Sequence, residues 1–190
     1  MSWTIGAATR PAAGETVSGD CYVTRTLDGA DLLVVVDALG HGPNAHEVAN
    51  RAEEVVASLQ PANDAEAVMM QLHRGLRSSR GAAAVVVHHK GGTVSTCGVG
   101  NVDLRSQPSQ VSLLPSPGIL GGTVRRMRTL SVEIEAQIRL YVFSDGIESR
   151  FSIDSFVDSE PQNAAEEILE RHGRDYDDAT IVIADVDFSG

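Results

Sequence analysis

The stretch Val34-Val35-Val36-Asp37-Ala38-Leu39-Gly40-His41-Gly42-Pro43 decides the fold. Its β-branched run reads as the end of a strand, its glycines as a tight turn, and Pro43 as the start of a helix, where a missing N–H costs nothing. Outward from it, the strand extends over Asp31–Asp37, preceded by a second strand, Cys21–Leu27, across the hairpin turn Asp28-Gly29. Downstream, Val48, Ala52, Val55, Val56 and Leu59 recur at helical spacing and give one apolar face. A second helix is expected from Asn63, the capping residue, with Glu66 at the third position and Val68, Met69, Leu72 and Leu76 as its stripe. Further strands read at Ala82–His89 and Thr93–Val99, joined at Lys90-Gly91-Gly92, then at Ser131–Ile134, Ile138–Ser144 and Thr180–Asp185. A third helix follows Pro161, turns Ala164, Ala165, Ile168 and Leu169 inward and ends at Gly173. The span Gln107–Gly122 reads as a long loop around one short strand, Val111–Leu114. Paired strands with helices set between them predict an α+β architecture of sheets covered by helices.

A chain of 190 residues fits one domain, 1–190, and 42% hydrophobic with 22% charged residues exclude disorder and coiled coil. Fifteen basic residues against 26 acids leave a net charge of −11, which repels nucleic acid and anionic membrane surfaces. The apolar runs Leu32–Val36 and Ala82–Val87 fall far short of the ~20 residues a membrane span requires, and Met1–Arg10 lacks the pattern of an export leader. A cytoplasmic protein is expected. Cys21 and Cys97 have neither the spacing nor the companions of a zinc site and read as buried thiols.

Four acids share one context, each at the end or start of a hydrophobic strand and beside glycine or another acid. They stand in Ser18-Gly19-Asp20, in the stretch around Asp37, in Phe143-Ser144-Asp145-Gly146 and in Asp177-Asp178-Ala179-Thr180. One such aspartate alone reads as a turn or cap residue. Four carboxylates brought to one rim repel one another unless a cation sits between them, and oxygen donors without histidine or cysteine select Mg²⁺ or Mn²⁺ over zinc. Gly40 and Gly42 supply a turn tight enough for a backbone carbonyl to approach such an ion. Two ions about 3.5–4 Å apart, sharing one aspartate, lower the pKa of a water between them for in-line attack on phosphorus.

The ordered set SGD, VVVDALGHG, GVGN, GILGG, FSDGIE and DDAT, with aspartate spacings of 17, 108 and 32 residues, resembles the metal-dependent PPM-type (protein phosphatase 2C-like) serine/threonine phosphatases. Within them it is similar to the SpoIIE-type branch and to the single-domain RsbX-like stressosome phosphatases. The resemblance implies an αββα sandwich of two mainly antiparallel sheets flanked by helices. It implies that Asp37 bridges two Mn²⁺ or Mg²⁺ ions, that the Ala38 carbonyl holds the second, that Asp145 and Asp177 hold the first, and that Asp20 lies close by through a water. The implied reaction is hydrolysis of phosphoserine or phosphothreonine on a regulatory protein, a STAS-domain component of a stress-signalling complex. The alternative is a catalytically weak phosphoprotein-binding module of the same fold; the intact Asp37, Asp145 and Asp177 stand against it.

This chain departs from many members in having Ala38 where they have glycine, and the histidine proposed as a general acid in larger relatives falls at Leu39. His41 is therefore either catalytic or a polar contact at the head of the helix. Asp178 is expected to accept hydrogen bonds at its turn, from Thr180 or the backbone, at a stability worth on the order of 1 kcal/mol. Arg125-Arg126-Met127-Arg128, the basic concentration of an acidic chain, reads as a solvated loop or as a phosphate- or partner-contacting patch.

Overall fold

The structure, a computed structural model, describes residues 3–60 and 64–187. Among the described residues nine strands and three α-helices run in the order β1 (Trp3–Arg10), β2 (Asp20–Leu27), β3 (Ala30–Ala38), α1 (Pro43–Ala57), α2 (Ala65–Gly75), β4 (Ala82–Lys90), β5 (Thr93–Val99), β6 (Asp103–Gln107), β7 (Thr129–Glu133), β8 (Ile138–Phe143), α3 (Pro161–His172) and β9 (Ala179–Val186). They form two antiparallel sheets, ordered β1-β9-β8-β6 and β2-β3-β4-β5-β7.

Period-two alternation on β3 explains why the sheets stack. Leu32, Val34, Val36 and Ala38 face a core under α1 and α2 with Val48, Ala52, Met69 and Leu72. Leu33 and Val35 point the other way, into the space between the sheets, against Val85, Leu140, Val142 and Val182. The opposite faces of β8 and β9 carry Tyr141, Phe143, Ile181 and Ile183 onto α3 through Ala164, Ala165 and Ile168. The layers are thus α, β, β, α, as expected. A strand buried on both faces is apolar throughout, which is why the sequence of β3 reads as a continuous run.

Two strands escape a reading by periodicity. In β1, Gly6, Ala7 and Ala8 replace the bulky residues that announce a strand. A Cβ on Gly6 would stand 2.1 Å from the backbone nitrogen of Gln162, so the start of α3 rests directly on the β1 backbone. Gly6→Ala is accordingly expected to destabilise the fold by about 2–3 kcal/mol, read as a lower urea midpoint at unchanged slope. The other, β6, is short and polar and pairs with β8 at one edge of its sheet.

Val111–Leu114, expected as a strand, is none. Its backbone is satisfied by side chains instead: Val111 N donates to Ser106 Oγ at 3.0 Å, and Thr96 Oγ1 donates to the Ser112 carbonyl at 2.7 Å. Asn63 lies outside the described residues; Asp64 occupies the N-cap of α2 and accepts from Ala67 N at 2.8 Å. β8 ends at Phe143, one residue before Ser144, and β7 begins at Thr129 rather than Ser131. Among the described residues no helix is long and apolar enough to cross a membrane.

Candidate metal centre

The antiparallel register of β2 with β3 sets Asp20 opposite Asp37 at one end of the five-stranded sheet. Ser144, just past β8, reaches across from the other sheet: its Oγ donates to Asp20 Oδ2 at 2.6 Å and accepts from Thr180 N at 3.0 Å. The next residue, Asp145, accepts from Asn101 Nδ2 at 2.5 Å, while its carbonyl accepts from Arg174 at 2.9 Å. Asp177 and Asp178 precede β9, the neighbour of β8. The four predicted acids Asp20, Asp37, Asp145 and Asp177 therefore converge where the open ends of both sheets meet.

Asp177 and Asp178 separate by environment. Asp177 is half-buried and accepts from Asp178 N at 3.0 Å. Asp178 is 3% exposed, and its carboxylate takes Ala12 N at 2.8 Å and Gly19 N at 2.6 Å. Its partners are backbone amides of the segment between β1 and β2; the Thr180 hydroxyl instead meets that of Thr9 at 3.0 Å. Gly19 passes the link on, since its carbonyl accepts from Ala38 N at 3.2 Å. Asp178 thereby ties β9 to the backbone beside Asp37. The glycine of Phe143-Ser144-Asp145-Gly146 serves the same corner: a Cβ there would stand 1.9 Å from the Asp178 carbonyl oxygen.

Between β3 and α1, Gly40 and Gly42 take positive φ, 85° and 73°, as the tight turn requires. His41 projects from this turn, exposed, with Nδ1 2.8 Å from Glu15 Oε1. It is near enough to Asp177 to counter part of the upward pressure on that carboxyl. His46 meets the Ser18 carbonyl at 2.9 Å, and both cysteines are buried, Cys21 against Ala49. Burial pushes the Cys21 thiol up and the Cys97 thiol to about 11, so neither is a ready nucleophile.

Charge is the dominant physical fact of the site. Burial raises Asp37 to about 9, and repulsion from Asp20, Asp145 and Asp177 adds to it. Burial likewise raises Asp20 to about 7, against the hydrogen bonds of Ser144 and Thr180. Asp177 is raised by burial and then by Asp145. Groups whose folded values lie above their unfolded ones contribute stability that is complete below the ordinary carboxylate range and lost as pH rises through the folded values. The metal-free protein is therefore expected to lose Tm steadily from about pH 4 to pH 9, with the loss reversed by Mg²⁺ or Mn²⁺; a thermal melt series with and without the ion reads both.

Among the described residues no group of three or more histidine, cysteine, aspartate and glutamate side chains closes into a ready-made metal cage. The donors nevertheless suit a hard divalent cation. They are carboxylates, they repel one another, and Asp20 Oδ1 is buried without a partner in the structure. Ser144, Asn101, Arg174 and the amide partners of Asp178 carry the geometry and were not assigned from sequence, although Ser144 and Asn101 stand inside quoted motifs.

No protein-family model and no curated protein matches the chain. Solved structures do. A protein described in work on the bacterial stressosome, a modular system adapted to control secondary messenger signalling, is 26% identical over 97% of this chain and 100% of its own, with a TM-score of 0.88. RsbX in complex with magnesium is 20% identical over 96% and 94%, with a TM-score of 0.83. The catalytic domain of the serine/threonine protein phosphatase PstP, in complex with two manganese ions, is 16% identical over 97% and 99%, with a TM-score of 0.73. The chain thus has the fold of the PP2C-type protein phosphatases.

Proposed function

We propose that this chain is a metal-dependent protein phosphatase acting on phosphoserine or phosphothreonine of a STAS-domain protein in a stress-signalling complex. The observation that carries the reading is the convergence of Asp20, Asp37, Asp145 and Asp177 at one rim of a fold shared with phosphatases solved with magnesium or manganese. Asp37, the Ala38 carbonyl, Asp145 and Asp177 would hold two Mn²⁺ or Mg²⁺ ions, with Asp20 nearby through a water. Bound ions would supply the positive charge that offsets the phosphoryl oxygens and acidifies the attacking water.

The chain's own groups do the positioning. Asn101 holds the Asp145 carboxylate, Ser144 holds that of Asp20, and Asp178 fixes the backbone of Gly19 and through it Ala38. Hydrolysis of a phosphorylated STAS-domain protein by the purified chain is expected to vanish with chelator and return with Mn²⁺ or Mg²⁺. Full activity after exhaustive chelation, or a phosphoenzyme trapped on serine or cysteine, would sink the mechanism. Retained binding of the phosphoprotein without any turnover under Mn²⁺ would favour the binding module.

A further inference from the structure

The charge of this chain is unevenly spread. Between Glu66 and Glu133 the acid present is Asp103 alone, in a protein whose net charge is −11. The same span holds Arg77, Arg80, Arg125, Arg126 and Arg128, all exposed, and among the described residues none of the five guanidinium groups has an ion pair or hydrogen bond.

Tertiary contacts set Arg80 beside the candidate metal centre and bring the segment that leads to Arg125, Arg126 and Arg128 against Ala82 and Leu76. Arg80 lies over the turn that follows Asp37, with Nη1 3.1 Å from where a Cβ on Gly40 would stand. It lines a surface groove of about 450 Å³ that it shares with Arg51, Asn44 and Glu47 of α1. The segment 118–124 folds back on the same side: Leu120 N donates to the Ala82 carbonyl at 2.8 Å, and Ala82 pairs with Ala38. Gly121 N donates to His73 Nδ1 at 3.3 Å and packs on the Leu76 carbonyl, next to Arg77. Val124 and Met127 then turn into the core under α2, which leaves Arg125, Arg126 and Arg128 in solvent.

Two apolar side chains stand exposed at Gly81, the residue after Arg80. Leu39 is 43% and Ile119 40% exposed, and both reach Gly81, where an added Cβ would meet Ile119 Cγ2 at 2.3 Å and Leu39 Cδ1 at 3.7 Å. An apolar centre with a charged rim is the anatomy of a protein-binding surface, in which arginine is favoured. Unpaired arginines on an otherwise acidic molecule steer an acidic partner to a place where its approach is favourable.

We propose that Leu39 and Ile119, ringed by Arg77, Arg80, Arg125, Arg126 and Arg128, form the docking surface for the phosphoprotein, and that this partner is acidic around its phosphorylated residue. That the partner is a phosphoprotein rests on the phosphatase reading; that it is acidic does not. A nucleic acid fits the arginines but not the apolar centre, and the net charge of −11 opposes it.

The test titrates the full chain, with chelator to stop turnover, against fluorescent phosphoserine peptides flanked either by Asp and Glu or by Asn and Gln. A single-stranded DNA oligonucleotide matched in charge to the acidic peptide is the third probe. At low ionic strength the acid-flanked peptide is expected to bind at least tenfold more tightly than the neutral one, with the preference shrinking toward about 0.15 M salt. Charge reversal in R125E/R126E/R128E is expected to erase the preference, R77E/R80E to do so independently, and L39A/I119A to weaken the acid-flanked peptide several-fold without erasing it. Equal affinity for the two peptides, a preference that survives both reversals, or tighter binding of the oligonucleotide would overturn the proposal. The two readings fail separately. Charge preference without Mn²⁺-dependent hydrolysis of the phosphorylated STAS-domain protein supports the docking surface and sinks the phosphatase, whereas hydrolysis of that protein with equal peptide affinities sinks the docking surface alone.

Discussion

Asp37→Asn is expected to abolish turnover, by on the order of a thousandfold or more, the scale on which a reaction falls when a group it depends on is removed. The same substitution is expected to stabilise the metal-free protein. Asp37 is crowded by Asp20, Asp145 and Asp177 in a buried corner, so its ionised form is disfavoured in the fold and free in the unfolded chain. Asparagine removes that conflict, and because the conflict grows as pH rises above the ordinary carboxylate range, so does the gain in Tm. Adding Mn²⁺ should reverse the ordering, raising the wild type and leaving the variant behind. Wild-type activity in Asp37→Asn would make Asp37 a turn residue; a metal-free variant less stable than wild type at pH 8 would mean that repulsion does not govern this corner.

The second large effect separates neighbours in the chain. Asp177→Ala is expected to weaken Mn²⁺ binding and activity severely while leaving the fold close to wild type, since its carboxylate is half-buried and held by one short-range backbone amide. Asp178→Ala is expected to do the opposite, at a cost of about 3 kcal/mol, because Ala12 N and Gly19 N would both be left without their acceptor inside the protein. That exceeds the on the order of 1 kcal/mol suited to a simple turn contact. Denaturant midpoints and the Mn²⁺ concentration for half-maximal rate, measured on both variants, decide the matter. A larger loss of metal affinity in Asp178→Ala would shift the ligand assignment by one residue.

The acids were legible because their context is local. Asp37 ends an apolar run and precedes two glycines, and Asp145 sits between Ser144 and Gly146, so neighbouring residues alone mark both as strand-end carboxylates. The roles of Ser144 and Asn101 were not legible. A serine and an asparagine near turns have many possible partners, and theirs are Asp20 and Asp145, 124 and 44 residues distant in the chain. β1 was hidden for a related reason. Its small residues answer to the backbone of α3 lying on it, a demand imposed by packing rather than by strand formation.

By itself the sequence determined which stretches form the central strands and helices and the chemistry of the donors at their ends, because side-chain period and residue type are local properties that any pairing of strands must respect. Tertiary structure decided which groups act on one another. Strand register alone sets Asp20 against Asp37, and packing across 159 residues of chain turns Asp178 from a turn residue into the clamp on Gly19. Segment 118–124, which leads to Arg125, comes against Ala82 and Leu76, beside Arg77 and Arg80, only in the folded chain. Contacts of this separation depend on the path of the whole backbone, which no window of sequence contains.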